Sequence, residues 1–142
     1  MAQDDTEDRR IALTNDHWCF VCGQDNPSGL RLVWHHDADG QARTVFHAAR
    51  EHQGWRGVVH GGILAAVLDE AMHQRLRFTG IRAVTANLSV RYRRPAPTEA
   101  PLVVEGELIA ERSRLLTCLA RVKAEDGTLY AEAEGTCVRQ NR

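Results

Sequence analysis

Residues 63–78 constrain the fold more than any other stretch. Ile63-Leu64-Ala65-Ala66-Val67-Leu68, followed by Ala71, Met72, Leu76 and Phe78, give a helix that is apolar on nearly every side for its first two turns. A helix at a protein surface keeps one polar face, so this one must be surrounded. Gly80 offers a stop just beyond it. A chain of 142 residues has room for one domain. The rest of its patterning must therefore supply the wrapping for that helix.

That patterning has a period of two. Leu30, Leu32 and Trp34 alternate with Arg31 and Val33, residues 37–40 make a turn, and Ala42, Thr44, Phe46 and Ala48 alternate with Arg43, Val45 and His47. This predicts a β-hairpin. Val84, Ala86, Leu88, Val90 and Tyr92 alternate with polar residues until Pro95, predicting one long half-buried strand with those five facing inward. Val104, Gly106, Leu108 and Ala110, then Leu116, Cys118, Ala120 and Val122, then Leu129, Ala131, Ala133, Gly135 and Cys137 continue the alternation, with a turn at 125–127. These strands read as an antiparallel meander. One helix and five or six antiparallel strands predict an α+β fold, a curved antiparallel β-sheet wrapped around one long central α-helix. Residues 1–15, acidic and polar, read as a loosely attached tail, and 16–142 as a single domain. Between them, 19–30 is rich in turn formers but carries Phe20 and Cys22, so an ordered loop pressed onto the domain is expected.

Charge and cysteine usage exclude several functions. Eighteen Lys and Arg against nineteen Asp and Glu give a net charge of −1, which offers no basic surplus for a phosphate backbone, so nucleic acid is not an expected partner. No apolar run approaches the roughly 20 residues of a membrane span. The first ten residues lack the basic start and apolar stretch of an export signal, so a cytoplasmic protein with reduced thiols is expected. Cys19 and Cys22 have C-x-x-C spacing, and His17, His35 and His36 could complete a zinc site on paper. Cys118 and Cys137 fall on strands, however, and no second close pair exists, so no zinc site is expected.

The chemistry concentrates on the helix. Asp69 lies inside the apolar segment, where a carboxylate is costly unless something uses or satisfies it. Gly57, Gly61 and Gly62 flank His60 where the helix should begin. Amides in a first helical turn have no partner inside the helix and point outward with the positive end of its dipole, suited to an oxygen that gains negative charge. Nine residues separate His60 from Asp69, roughly 13.5 Å of rise and about 900° of rotation, so the two ends cannot share a substrate atom within one chain. Two helices antiparallel about a twofold axis would bring Asp69 of one copy to the glycine-rich start of the other, which predicts a homodimer and leaves a larger assembly such as a tetramer open.

The run His52-Gln53-Gly54-Trp55-Arg56-Gly57-Val58-Val59-His60-Gly61-Gly62-Ile63-Leu64-Ala65-Ala66-Val67-Leu68-Asp69-Glu70-Ala71-Met72 resembles the His-Gly-Gly helix motif of hotdog-fold thioesterases, especially the PaaI-like acyl-CoA thioesterases. Cys19-Phe20-Val21-Cys22-Gly23 with Asn26-Pro27-Ser28-Gly29-Leu30, and the segment Thr85 to Pro95, agree with it, so the resemblance spans about residues 19–139. It implies a hotdog fold and hydrolysis of an acyl-CoA thioester between subunits, with no metal or organic cofactor. The catalytic carboxylate falls on Asp69, as base or nucleophile, and the oxyanion amide on Gly61. Thr85 corresponds to a hydroxyl residue that contacts the reacting group in some relatives. Relatives often carry Asn or Gln six residues before the motif histidine. Here Gly54 stands there with Gln53 beside it, which makes Gln53, with His60 and Gly62, a substrate-binding candidate.

Each feature has a plainer reading. Glu70 points about 100° away from Asp69, and a solvated or ion-paired role suits it. His60 caps the helix or touches substrate. His73 shares the face of Asp69 and could hydrogen-bond to it, but reads first as a surface or interface histidine. Arg91, Arg93 and Arg94 are a solvated strand edge or a clamp for nucleotide phosphates. Trp55 reads as a core or interface anchor. Two other functions fit the same features: a non-catalytic acyl-CoA binding module, and a hotdog dehydratase, although Asn26-Pro27 lacks the histidine that would follow in the latter.

Overall fold

The computed structural model describes residues 13–140. Most of the expected 1–15 tail lies outside the described residues. In chain order the elements are β1 (His35–His36), β2 (Ala42–His47), α1 (Gly61–Phe78), β3 (Ala83–Tyr92), β4 (Pro101–Arg112), β5 (Leu115–Lys123) and β6 (Leu129–Arg139). The strands form one antiparallel sheet in the order β1-β2-β4-β5-β6-β3. The helix packs against β2 through β6 and most extensively on β4. Among the described residues, no helix is long and apolar enough to cross a membrane.

Alternation builds this arrangement. Leu102, Val104 and Gly106 of β4, Leu116, Cys118, Ala120 and Val122 of β5, and Ala131, Ala133, Gly135 and Cys137 of β6 face the helix. Their charged neighbours face outward, with Glu105 pairing Arg43 at 2.8 Å and Lys123 at 3.1 Å. From the helix, Leu64, Val67, Leu68, Ala71, Met72 and Leu76 are buried against the sheet. Each larger side chain among them contributes about 1.5–3 kcal/mol by leaving water. A Cβ on Gly106 would stand 2.2 Å from the Ala71 carbonyl oxygen, so only glycine lets the helix backbone lie this close to β4. The helix ends as the sequence indicates, with the Gly80 amide donating to Arg77 O and the Ile81 amide to Leu76 O.

Three expectations are corrected. Leu30–Trp34 is not a strand: Arg31 has φ +53°, and the Leu30 and Leu32 amides bond to Phe20 O and Val21 O, so this segment pairs with the preceding loop and only His35–His36 reach β2. That loop is ordered, but Val21 seats it while Phe20 is exposed. In β3 the inward set changes partway: Thr85 pairs with Cys137 and Asn87 with Thr136, leaving Ala86 as an extra residue. The bulge turns Thr85 to the side that Leu88 and Val90 keep and leaves Val84 and Ala86 exposed; Tyr92, at the strand's end, is exposed as well. Finally, the described residues cover only one face of α1. Ile63, Ala65, Ala66 and Asp69 on the other side stay half-buried.

Candidate active site

Asp69, Thr85 and His73 meet on that less covered side. Thr85 Oγ1 donates to Asp69 Oδ1 at 2.5 Å, and His73 Nε2 lies 2.7 Å from the same Thr85 oxygen and 3.8 Å from Asp69 Oδ1. A hydroxyl has one proton. Because Thr85 gives it to the carboxylate, the bond to His73 must use a proton on Nε2, which assigns that nitrogen as the donor. Asp69 and His73 are one helical turn apart, and the Ala86 bulge brings Thr85 over them. The reading of His73 as a surface histidine is corrected: its side chain is only 18% exposed, enclosed between α1 and the start of β3. Asp69 keeps 36% exposure, so within one chain its apolar neighbours do not bury it and it remains accessible to water.

Behind His73 lies Cys137 Sγ, 3.9 Å from Nε2. Burial opposes a charge on His73, but its contact with Cys137 and the nearby carboxylates of Asp69 and Glu70 prevail, holding its pKa above the ordinary value. The hydrogen bond from Cys118 draws Cys137 below the usual thiol range against the opposing effect of burial, with His73 adding to the shift.

The start of the helix forms a second cluster. His60 is the N-cap, its Nδ1 accepting from the Gly62 amide at 2.9 Å, which is the capping role. The Gly61 amide is left without a hydrogen-bond partner among the described residues. Tyr92 covers this corner and donates its hydroxyl to Gly61 O at 2.7 Å. Tyr92 shares the strand face of Leu88 and Val90, as the alternation predicts, but at the strand's end that face meets the helix start instead of the core. Trp55, His60, Gly61, Tyr92, Arg93 and Arg94 line an open groove of about 770 Å³. Trp55 is 86% exposed, which corrects its reading as a core residue. Arg93 pairs with Glu132 at 2.5 Å and Arg94 donates to Leu129 O at 3.4 Å, both beside the groove. Gln53 holds the turn before the helix, its Oε1 accepting from the Gly57 amide at 3.2 Å.

The structure therefore brings Asp69 and Thr85 together and adds His73. Gly61, Gly62 and His60 gather at the helix start, about two and a half turns away. Gln53 sits with that second group.

Glu70, one residue on, turns to the other side. Its side chain is 12% exposed, accepts from Gln74 Nε2 at 2.8 Å and pairs with Arg77 at 3.9 Å. Cys19 Sγ donates to Glu70 Oε2 at 3.6 Å. His36, by contrast, bonds to Gln74 O and stacks on Phe78, away from the cysteine pair.

Comparisons with known proteins agree with this architecture. The thioesterase superfamily model matches residues 56–131, which include the helix, β3, β4, β5 and the first three residues of β6. Acyl-coenzyme A thioesterase THEM4 of Bos taurus is 32% identical over 124 residues, covering 84% of this chain and 50% of that protein. The chain thus spans about half the length of the curated relatives it matches. A crystal structure of a thioesterase superfamily protein superposes with a TM-score of 0.81 at 29% identity, covering 94% of this chain and 71% of that one. A mutant of the phenylacetic acid degradation protein PaaI from Thermus thermophilus superposes with a TM-score of 0.69 at 29% identity, covering 78% and 94%. The six-stranded antiparallel sheet around a single main helix is the hotdog fold, and the chain belongs to the thioesterase superfamily.

Proposed function

We propose that this chain hydrolyses acyl-CoA thioesters at two equivalent sites between two copies of itself, with Asp69 of one copy facing the Gly61 amide of the other. The observation that carries the reading is the Asp69 carboxylate, oriented by Thr85 on the side of the helix that the sheet leaves uncovered. The THEM4 relative is named for the same reaction. Support for a second copy comes from Ile63 and Ala66, half-buried apolar residues on that side, and from β3, a ten-residue strand at the sheet edge that among the described residues pairs only with β6.

In this mechanism the thioester carbonyl accepts the unpaired Gly61 N–H, an interaction worth about 2.7–4 kcal/mol in the transition state for comparable oxyanion donors. Thr85 occupies Asp69 Oδ1, and Asp69 takes a proton from a water whose oxygen bonds to the carbonyl carbon. Collapse of the tetrahedral intermediate breaks the C–S bond, and the proton passes to the departing CoA sulfur. Direct attack by Asp69 would instead form an anhydride. In oxygen-18 water a single turnover by the first route labels only the acid product, whereas label found in Asp69 itself would show the anhydride, opened by water at the aspartyl carbon. Trp55, Arg93 and Arg94 beside Gly61 suit the adenine ring and phosphates of CoA.

Mixing two inactive variants tests the shared site. Asp69→Asn and Gly61→Pro each disable both sites of their own homodimer, but a mixed dimer carries both changes in one site and neither in the other. Random exchange of equal amounts should restore about a quarter of wild-type thiol release. No recovery in mixtures shown by mass to contain mixed dimers would overturn the intersubunit site. Binding of acyl-CoA esters with no wild-type turnover across a chain-length panel would favour a non-catalytic binding module.

A further inference from the structure

We infer that Cys19, Cys22 and Glu70 form a zinc site that ties the 19–30 loop to the central helix. The two sulfurs and one carboxylate oxygen lie within 4.8 Å of one another, although Glu70 is 51 residues from Cys19 in sequence. Only the fold brings in this third donor, and a search for paired cysteines and histidines passes over it.

The local backbone has the form of a metal-binding knuckle. The Cys22 amide points at Cys19 Sγ at 3.5 Å and the Gly23 amide donates to Cys19 O at 2.9 Å, which folds C-x-x-C-G into a tight turn with its sulfurs side by side. Gly23 is required: a Cβ there would lie 2.4 Å from the Cys19 nitrogen and 2.6 Å from both Cys19 O and His17 O. Tetrahedral zinc, with bonds of about 2.3 Å to sulfur and about 2.1 Å to oxygen, separates a sulfur and an oxygen ligand by about 3.6 Å. Cys19 Sγ and Glu70 Oε2 are 3.6 Å apart. Zinc therefore replaces the thiol proton between them without moving either group far.

Charge and donor type select the ion. Two thiolates and a carboxylate carry three negative charges, and a divalent ion leaves one. Arg77 Nη1, 3.9 Å from both Cys22 Sγ and Glu70 Oε1, balances it. Thiolates favour zinc over magnesium or calcium, which prefer all-oxygen sites. Water completes the tetrahedron from the cavity of about 1050 Å³ that Cys19 and Glu70 line with Trp18 and His73. The site's function is to anchor the loop beside Glu70, the neighbour of Asp69 on the helix.

The test is cobalt substitution in the whole chain, purified under reductant without chelator, and it requires no thioester turnover. Titration with Co²⁺ should develop sulfur-to-metal charge-transfer absorption and tetrahedral d–d bands that saturate at one equivalent, and Zn²⁺, the tighter binder, should bleach both. Cys22→Ser should abolish the charge-transfer band and Glu70→Gln should weaken cobalt binding at least about tenfold. Zn²⁺ should raise the Tm of the wild-type chain by several degrees and leave that of Cys22→Ser unchanged. Absence of charge transfer in wild-type protein whose four thiols all titrate as free would overturn the site, as would a band that survives in Cys22→Ser.

Discussion

The hydroxyl of Thr85 gives its proton to the carboxylate of Asp69 across 2.5 Å, and it reaches that carboxylate because Ala86 is an unpaired extra residue in β3. The contact orients Asp69 through Oδ1. A strand without the bulge would carry Thr85 on its outer face, with Ser89 and Arg91.

If Asp69 is the base, Asp69→Asn should lower kcat by about 10²–10⁴. Loss of one hydrogen bond to a charged group costs about 1.5–3 kcal/mol, so Thr85→Val should lower kcat roughly 10- to 100-fold with a small change in KM. The two act as a unit, and the double variant should be little worse than Asp69→Asn alone. Steady-state thiol release from one acyl-CoA ester measures all three. Fully multiplicative losses would show that Thr85 does not work through Asp69.

The raised pKa of His73 predicts a pH-dependent stability. Its ordinary value is 6.5; burial opposes protonation, while Cys137, Asp69 and Glu70 together favour it more strongly. A group whose pKa is raised on folding stabilises the fold fully below its unfolded pKa and loses that contribution as pH rises through the folded one. The Tm difference between wild type and His73→Asn should therefore be larger near about pH 5.5 than near about pH 8.5. Equal differences at both pH values would count against the protonated form.

Gly61 stands at the first helical position, the one place in a helix that proline occupies readily, and the extended His60 before it, at ψ 132°, suits a following proline. Gly61→Pro should keep the helix, as seen by circular dichroism, while removing the unpaired amide. The kcat should fall about 10²–10³-fold. Gly61→Ala, which keeps the amide and meets the Tyr92 ring at an ordinary 3.4 Å, should retain far more activity than the proline variant.

Gly106→Ala should destabilise the fold by about 1–3 kcal/mol, because the new methyl meets the helix backbone at Ala71 and has no flexible side chain to displace. A urea midpoint lowered at constant m-value would register it. An unchanged midpoint would mean that α1 can lift from β4 without cost.

The sequence by itself determined the elements and most of their faces. Alternation through Val104–Gly106, Leu116–Val122 and Ala131–Cys137 requires a sheet with one apolar side, and residues 61–78 can only be the helix it covers, because both periodicities are local and survive any rearrangement of distant parts. Asp69 stood out for the same reason, a carboxylate inside an apolar period. The His-Gly-Gly run extended that reading to a family resemblance. Tertiary structure decided which groups meet. The Ala86 bulge is invisible in a strand where small and apolar residues flank it on both faces, yet it turns Thr85 toward Asp69 and His73. Glu70 and Cys19 likewise share no local pattern; a folded loop and a helix bring them together across 51 positions. Periodicity reports which side of an element faces the core, whereas a site depends on single contacts between elements, and those exist only once the sheet has closed on the helix.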